Sequence, residues 1–236
     1  MSRRRRVDYV HVLQALLSAL PRRPAVQVVV SDFERALWAA VQGVLPGVHH
    51  RGCAFHYSQA VWRNVQAVGL QVLYSNDKNI NRFCRKTMAL PFLPAAVIPL
   101  ALQDVVAAND NPQIAKHLDY VRQTWVDSTV WPPSTWSVFR QPVRTNNDVE
   151  GWHCRLNVKA HHGRLNMYQL IQLLHTESEL VDVAVRMLSE CGTTRLQKRA
   201  YSRVHTRLNK LWGEYCDGSR DVNRLLSATA RLCKHT

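Results

Sequence analysis

The chain has 236 residues, with 31 Lys and Arg against 17 Asp and Glu and a formal net charge of +14, a balance that points to a polyanionic partner, DNA by default, without saying anything about sequence specificity. Hydrophobic residues make up 46% of it, which is enough for a packed core and excludes a wholly disordered tail. No segment offers the roughly 18 uninterrupted apolar residues of a membrane span; the richest, Met88 to Val106, is broken by Pro91, Pro94 and Pro99, so a soluble chain with no membrane partner is expected.

Arg3, Arg4, Arg5 and Arg6 are followed by Val7 and Asp8 rather than by an apolar stretch. That pattern is not a secretory leader; it suits a nuclear-import or phosphate-binding patch, or a solvated end. Residues 1–7 are thus set apart as a basic tail. Tyr9, Val10, Leu13, Leu16, Leu17 and Leu20 recur at helical spacing and predict an amphipathic helix over 8–20, which Pro21 ends.

An apolar run from Ala25 to Val30 predicts a buried strand, which delivers Asp32, in Ser31-Asp32-Phe33-Glu34, to the start of a helix marked by Leu37, Ala40, Val41 and Val44. A carboxylate there stands at a strand's carboxyl end, where open α/β sheets place ligands. The same position also suits a helix N-cap. Leu45-Pro46-Gly47 predicts a turn, Val48 to Arg51 a short strand and Ala54 to Val68 a helix. Cys53 and His56 fall on that helix's first turn with metal-ligand spacing. Zinc usually needs four ligands; His153 with Cys154, or His161 with His162, could supply the remainder, but nothing in the sequence brings them together, so the alternative is a buried cysteine beside a helix-start histidine. The remaining cysteines, at 84, 154, 191, 216 and 233, are too scattered for a disulfide scaffold, and a reducing compartment is expected.

Helices are predicted over Ile80–Leu90, Ala95–Ala108 and Pro112–Val126, with Asn109-Asp110-Asn111 as a turn and cap. They form an insert-like block over 79–126. Trp125, Trp131, Pro132, Pro133 and Trp136 exclude a continuous helix and predict an aromatic loop or edge strand, with a short strand near 136–139; the tryptophans either stack on bases or pin the loop to the core. In Arg144-Thr145-Asn146-Asn147-Asp148-Val149-Glu150-Gly151-Trp152-His153, Thr145 or an Asn caps a helix whose first turn carries Asp148 and Glu150. A long helix follows from Asn166 to about Glu190, closed by Gly192. Residues 191–236 carry Arg195, Lys198, Arg199, Arg203, Arg207, Lys210, Arg220, Arg224, Arg231 and Lys234; they predict a basic tail of two helices, either tracking a phosphate backbone or presenting a solvated face.

Taken in order, Asp32 in Ser-Asp-Phe-Glu, Gly52-Cys53-Ala54-Phe55-His56-Tyr57-Ser58-Gln59-Ala60, Leu90-Pro91-Phe92-Leu93-Pro94 and Thr145 to His153 resemble the MULE (Mutator-like element) transposase domain, over about residues 7–180. The resemblance implies an RNase H-like catalytic domain with a DDE triad and a helical insertion before the last acid. Here that means a partial α/β fold of few strands, predominantly helical overall, over 8–190. Asp32 matches the second acid and Glu150 the third, Cys53 and His56 match a Cys-x-x-His element, and His153 follows the glutamate, where it orients that acid or contacts DNA. Arg144, Arg155 and Lys159 are candidate DNA contacts beside it, together with Arg3 to Arg6. The chemistry implied is DNA transposition with Mg²⁺ ions about 3.5–4 Å apart, held by carboxylates.

The first acid of such a triad belongs on a leading strand, and only Met1 to Val7 precede the first predicted helix. The expectation is therefore an N-terminally truncated, transposase-derived nuclear protein that binds DNA, keeps a remnant DDE site inactive on its own and is open to homo-oligomerisation. A non-enzymatic basic DNA-binding or interaction protein, or a fragment with no stable fold, is the alternative.

Overall fold

The computed structural model describes residues 5–106, 111–145, 147–160, 163, 165–191 and 199–233; of residues 106, 147–150, 182–191 and 199–202 it describes the backbone alone. Arg3, Arg4, Asn109, Asp110, Asn146, His161, His162, Gly192, Arg195, Lys198 and Lys234 lie outside the described residues. Helix accounts for 69% of the structure, with one small two-stranded parallel sheet, which bears out the predominantly helical reading. The chain divides into two compact units, one of residues 1–145 with 206–236 and one of residues 146–205.

The first unit opens with α1 (Arg6–Ala19), a β-α-β segment of β1 (Val28–Ser31), α2 (Arg35–Val44) and β2 (His49–Gly52), and then α3 (Ala54–Ala67). Register pairs Val28 with His49 through Ser31 with Gly52, and the ladder continues at both ends through His49 N–H to Gln27 O at 2.9 Å and Cys53 N–H to Ser31 O at 2.9 Å. Parallel strands need a crossover, and α2 supplies it. α1 packs on α2, yet none of its residues is buried. Of its expected apolar face Tyr9, Val10, Leu13 and Leu17 are half-buried, while Leu16 is 58% exposed and Leu20, just past its end, 47%.

The core lies beyond the sheet. It joins α3, α4 (Gln71–Asn76), α5 (Lys78–Met88), α6 (Ile98–Val106), α7 (Pro112–Val121) and the four-residue α8 (Pro133–Trp136) to the end of α11 (Arg199–Cys216) and to α12 (Val222–Ala230). α5 shows why. Asp77 caps it by accepting from Asn79 N at 2.6 Å and Ile80 N at 3.2 Å, and its buried residues Ile80, Phe83, Cys84, Thr87 and Met88 form one stripe at helical spacing. Asn111 caps α7 through Gln113 N at 2.8 Å, as predicted. α7 ends in a π-helical turn over Arg122–Val126 that turns Trp125 into the core. Over the described residues 199–233 the basic C-terminal segment forms two helices, as expected, and they also carry core: Leu208, Leu211, Trp212, Leu225 and Leu226 are buried, and Trp212 Nε1 donates to Phe92 O at 2.9 Å.

No strand forms at 136–139. Pro132 and Pro133 suit a helix start, and Trp136 closes a helical turn, buried, with its Nε1 donating to Trp131 O at 3.0 Å and Trp125 O at 3.3 Å. Downstream, Ser137 Oγ donates to Leu93 O at 2.6 Å and Val138 N–H to Pro91 O at 2.7 Å, so this backbone pairs with a turn instead of a sheet edge. The second unit consists of α9 (Asn147–Lys159), α10 (Met167–Cys191) and the start of α11.

His117, fully buried on α7, lies between Thr87 Oγ1 at 3.0 Å on α5 and Asn64 Oδ1 at 2.7 Å on α3. Burial lowers its pKa from 6.5 to about 4. Unfolding therefore takes up a proton between those values, so stability is fully present above about pH 6.5 and falls as pH drops towards 4, by about 3 kcal/mol for this group. Urea melts at pH 7 and pH 5 are expected to show about 2 kcal/mol of that loss, and His117→Gln, although less stable at pH 7, is expected to show a flatter pH dependence by about one proton.

Candidate functional site

Asp32 follows β1 and precedes α2, with 54% of its side chain exposed. It does not cap that helix: the N-cap is Glu34, which makes no side-chain cap bond. Its main chain is held instead. The Asp32 carbonyl oxygen accepts from Glu34 N–H at 3.0 Å, Trp38 Nε1 at 2.8 Å and Ser31 Oγ at 3.1 Å. Three donors on one oxygen fix the turn, so the carboxylate is aimed outward from a rigid base. There His56 Nδ1, on the first turn of α3, stands 2.9 Å from Asp32 Oδ1.

Beneath this pair lies an aromatic cluster. Phe33 meets Trp125 edge-on at 4.6 Å between centroids and Trp131 at 5.6 Å. Trp38 stacks on His50 at 4.0 Å, and Tyr57 stacks on Trp136 at 4.7 Å. Such pairs add about 0.5–1.5 kcal/mol each beyond their area. Trp125 and Trp136 are buried, so these two pin the loop to the core and are not free to stack on bases. His50, on β2, faces Ser31 Oγ at 2.7 Å. Since the Ser31 hydroxyl donates to the Asp32 carbonyl, His50 Nε2–H donates to Ser31 Oγ. Burial lowers the His50 pKa to about 4, which keeps it neutral beside the acid.

Gly52 makes the cluster possible. A Cβ there would overlap the Phe33 ring, so the ring lies directly over the end of β2 only because residue 52 has no side chain.

The predicted site residues fall in three settings. Asp32 and His56 meet. Cys53, on the other side of the β2–α3 junction, is fully buried, and among the described residues no three of His, Cys, Asp and Glu gather as a metal would need. A magnesium ion would draw on Asp32 here, but the described carboxylates bring it no second acid, and Cys53 with His56 gathers no zinc set of four. Arg144 is buried at 4% exposure, with its carbonyl accepting from Ala54 N–H at 3.1 Å; its guanidinium faces protein. Arg5 lies at the start of α1, where its amide donates to Asp8 Oδ2 at 3.3 Å, and Arg6 is exposed on the first turn.

In the second unit Glu150 lies on α9, its side chain outside the described residues, while His153 is exposed with its ring 5.2 Å from that of Trp152. Arg155 and Lys159 converge on Glu177 of α10, at 3.4 and 2.6 Å, and Trp152 Nε1 donates to the same carboxylate at 3.1 Å. Lys159, then Arg155, hold the Glu177 carboxyl below its ordinary range. These two cations tie α9 to α10.

Sequence reasoning passed over Ser31, Trp38, His50, Gly52 and Glu177. The signal for the first four lay in an aromatic-rich stretch around two strand ends. Glu177, one acid in a long helix, carried none.

Residues 1–60 match the model of the MULE transposase domain, so this segment, which contains β1, Asp32, β2, Cys53 and His56, is similar to such a domain. No curated protein and no solved structure matches the chain.

Gly52→Ala is expected to lower stability by about 1–3 kcal/mol through overpacking against Phe33. In a Phe33→Ala background the same change is expected to cost almost nothing; denaturant melts of the four proteins of this cycle, where additive losses would refute the contact, measure it. Lys159→Ala is expected to speed amide exchange in α9 and α10 by releasing one partner of the buried Glu177, with exchange in β1 and β2 unchanged.

Proposed function

We propose that this is a transposase-derived DNA-binding protein whose β1-α2-β2 segment belongs to a partial RNase H-like frame, and that Asp32 is a remnant acid of a DDE site that does not join DNA strands on its own. The observation that carries this reading is the Asp32–His56 pair, Oδ1 to Nδ1 at 2.9 Å, at a strand end within the segment similar to a MULE transposase domain. The acid stands where a metal-ligating carboxylate would, on a rigid turn and open to solvent. Its described neighbour is an imidazole, a cation when protonated, rather than a second carboxylate. Strand transfer by two metal ions draws on several hard oxygen ligands, and Glu150 is the further acid that this reading assigns.

The net charge of +14 supports DNA as the partner through phosphate contacts. A nuclear location accords with that partner and with the arginine run at residues 3–6. Pairing of two copies would bring two such acids to one DNA.

Two assays on the full chain test the reading. Fluorescence anisotropy with a labelled duplex is expected to show affinity falling at least tenfold between roughly 50 and 200 mM salt, with Asp32→Ala binding as wild type does. Incubation with pre-cleaved transposon-end DNA and Mg²⁺ or Mn²⁺ is expected to give no joined product. Metal-dependent joining that Asp32→Ala abolishes would sink the inactive-remnant proposal, and affinity insensitive to salt would sink the phosphate-contact argument.

A further inference from the structure

The cations that sequence reasoning assigned to DNA in the described part of the chain are largely committed elsewhere, Arg144 to the interior and Arg155 and Lys159 to Glu177. A different set is uncommitted. On α5, the face opposite the buried stripe carries Lys78, Arg82 and Lys86, spaced to lie along one side of the helix, with Arg85 beside them bound to Ala230. α12 packs against α5 and carries Arg224, and Arg231 follows two turns on at its C-cap. Between them runs an open groove lined by Lys78, Asn81, Arg82, Lys86, Ser227 and Arg231, and a neighbouring concavity shares Ser227 and Arg231 with it and reaches Arg220 and Arg224.

Asp77 and Asp221 belong to the lining of the groove and its neighbour, but neither they nor Glu214 pair with Lys78, Arg82, Lys86 or Arg231. Asp77 is used as the cap of α5, Asp221 caps α12 and pairs with Arg224 at 3.3 Å, and Glu214 holds Arg220 at 2.6 Å. Arg85 donates to Ala230 O at 2.8 Å, so it fastens the end of α12 to α5. Among the described residues, Lys78, Arg82, Lys86 and Arg231 have no acidic partner. Four unpaired cations lining one groove make a local positive potential that attracts an anion, and phosphates lying between them relieve their mutual repulsion.

We propose that this α5–α12 groove is a docking surface for the phosphate backbone of duplex DNA. The inference rests on the DNA-binding reading above and locates it. From Lys78 to Lys86 the α5 stripe rises about 12 Å, a length over which one strand of B-DNA presents about three to four phosphates. Arginine forks suit phosphate oxygens. The groove has one aromatic in its lining, Tyr74, whereas surfaces that bind single strands stack successive bases on several. Backbone contacts of this kind position DNA and carry no base information.

The test is anisotropy against a labelled 20-base-pair duplex across a salt series, with the full chain carrying Lys78→Gln, Arg82→Gln, Lys86→Gln and Arg231→Gln. Arg85 is left alone because it holds α12. The slope of log affinity against log salt is expected to fall by about 3 to 4, and affinity at low salt by well over tenfold. Arg22→Gln with Arg23→Gln, exposed residues between α1 and β1, controls for lost net charge and is expected to change the slope far less than Lys78→Gln with Arg231→Gln. That pair, and Arg82→Gln with Lys86→Gln, carry the test should the fourfold variant not fold. Wild-type binding with an unchanged slope in the groove variants would overturn the groove and leave DNA binding standing. No duplex binding by the wild type would overturn both readings, and tighter binding of the single strand than of its duplex would overturn the duplex assignment.

Discussion

The seating of Phe33 over the backbone of Gly52 is the contact on which the strand-end architecture depends. A two-stranded parallel sheet has little stability of its own, and β1 and β2 are held together less by their short ladder than by what covers their carboxyl ends. Phe33 joins the β1–α2 turn to Trp125 and Trp131, and Trp38 reaches back from α2 to the Asp32 carbonyl while stacking on His50 of β2. The strand ends are thus clamped from the sides and from the core at once. Asp32 inherits that rigidity without being buried by it, which is the arrangement a ligand-binding or catalytic acid requires.

The same clamp decides which charges are available. Residues near the strand ends are drawn inward, Arg144 among them, and His50 is kept neutral. The positive charge that the composition advertises is therefore expressed elsewhere, on helices whose inner faces are fully occupied by core. α5 and α12 illustrate the economy of an amphipathic helix: Ile80, Phe83, Met88, Leu225 and Leu226 hold the fold, and the outward faces are left to lysine and arginine. On the proposed reading, an acid at the strand ends and cations on the α5–α12 face belong to a protein that grips a phosphate backbone without assembling, from its described residues, the carboxylate cluster that strand transfer requires.

Much of this was legible in the amino-acid order. The apolar run ending at Val30, the turn at Pro46-Gly47 and the run up to Arg51 announced the β-α-β segment, and Asp77 and Asn111 sit where caps belong; Asn111 was read as one. What failed did so for tertiary reasons. The helix at Pro133–Trp136 was open to a strand reading because tryptophans favour strands, and only the burial of Trp136 against Tyr57 decides against it. Arg144 looked like a DNA contact because arginines in basic chains usually face solvent; its burial depends on packing beside Ala54, which no local pattern encodes. Lys159 and Glu177 are far apart in sequence, and the hairpin that joins them follows from α9 and α10 lying side by side. The Asp32–His56 contact likewise depends on β2 bringing α3 next to β1, although each residue was singled out separately.

The account stands or falls on where DNA touches the protein. Hydroxyl-radical footprinting of the full chain, read by mass spectrometry with and without a saturating duplex, answers this without any substitution. Protection concentrated on α5 and α12, with the aromatic cluster around Phe33 equally shielded in both states, is the expected result. Protection confined to the α9–α10 unit, with none on α5 or α12, would contradict it.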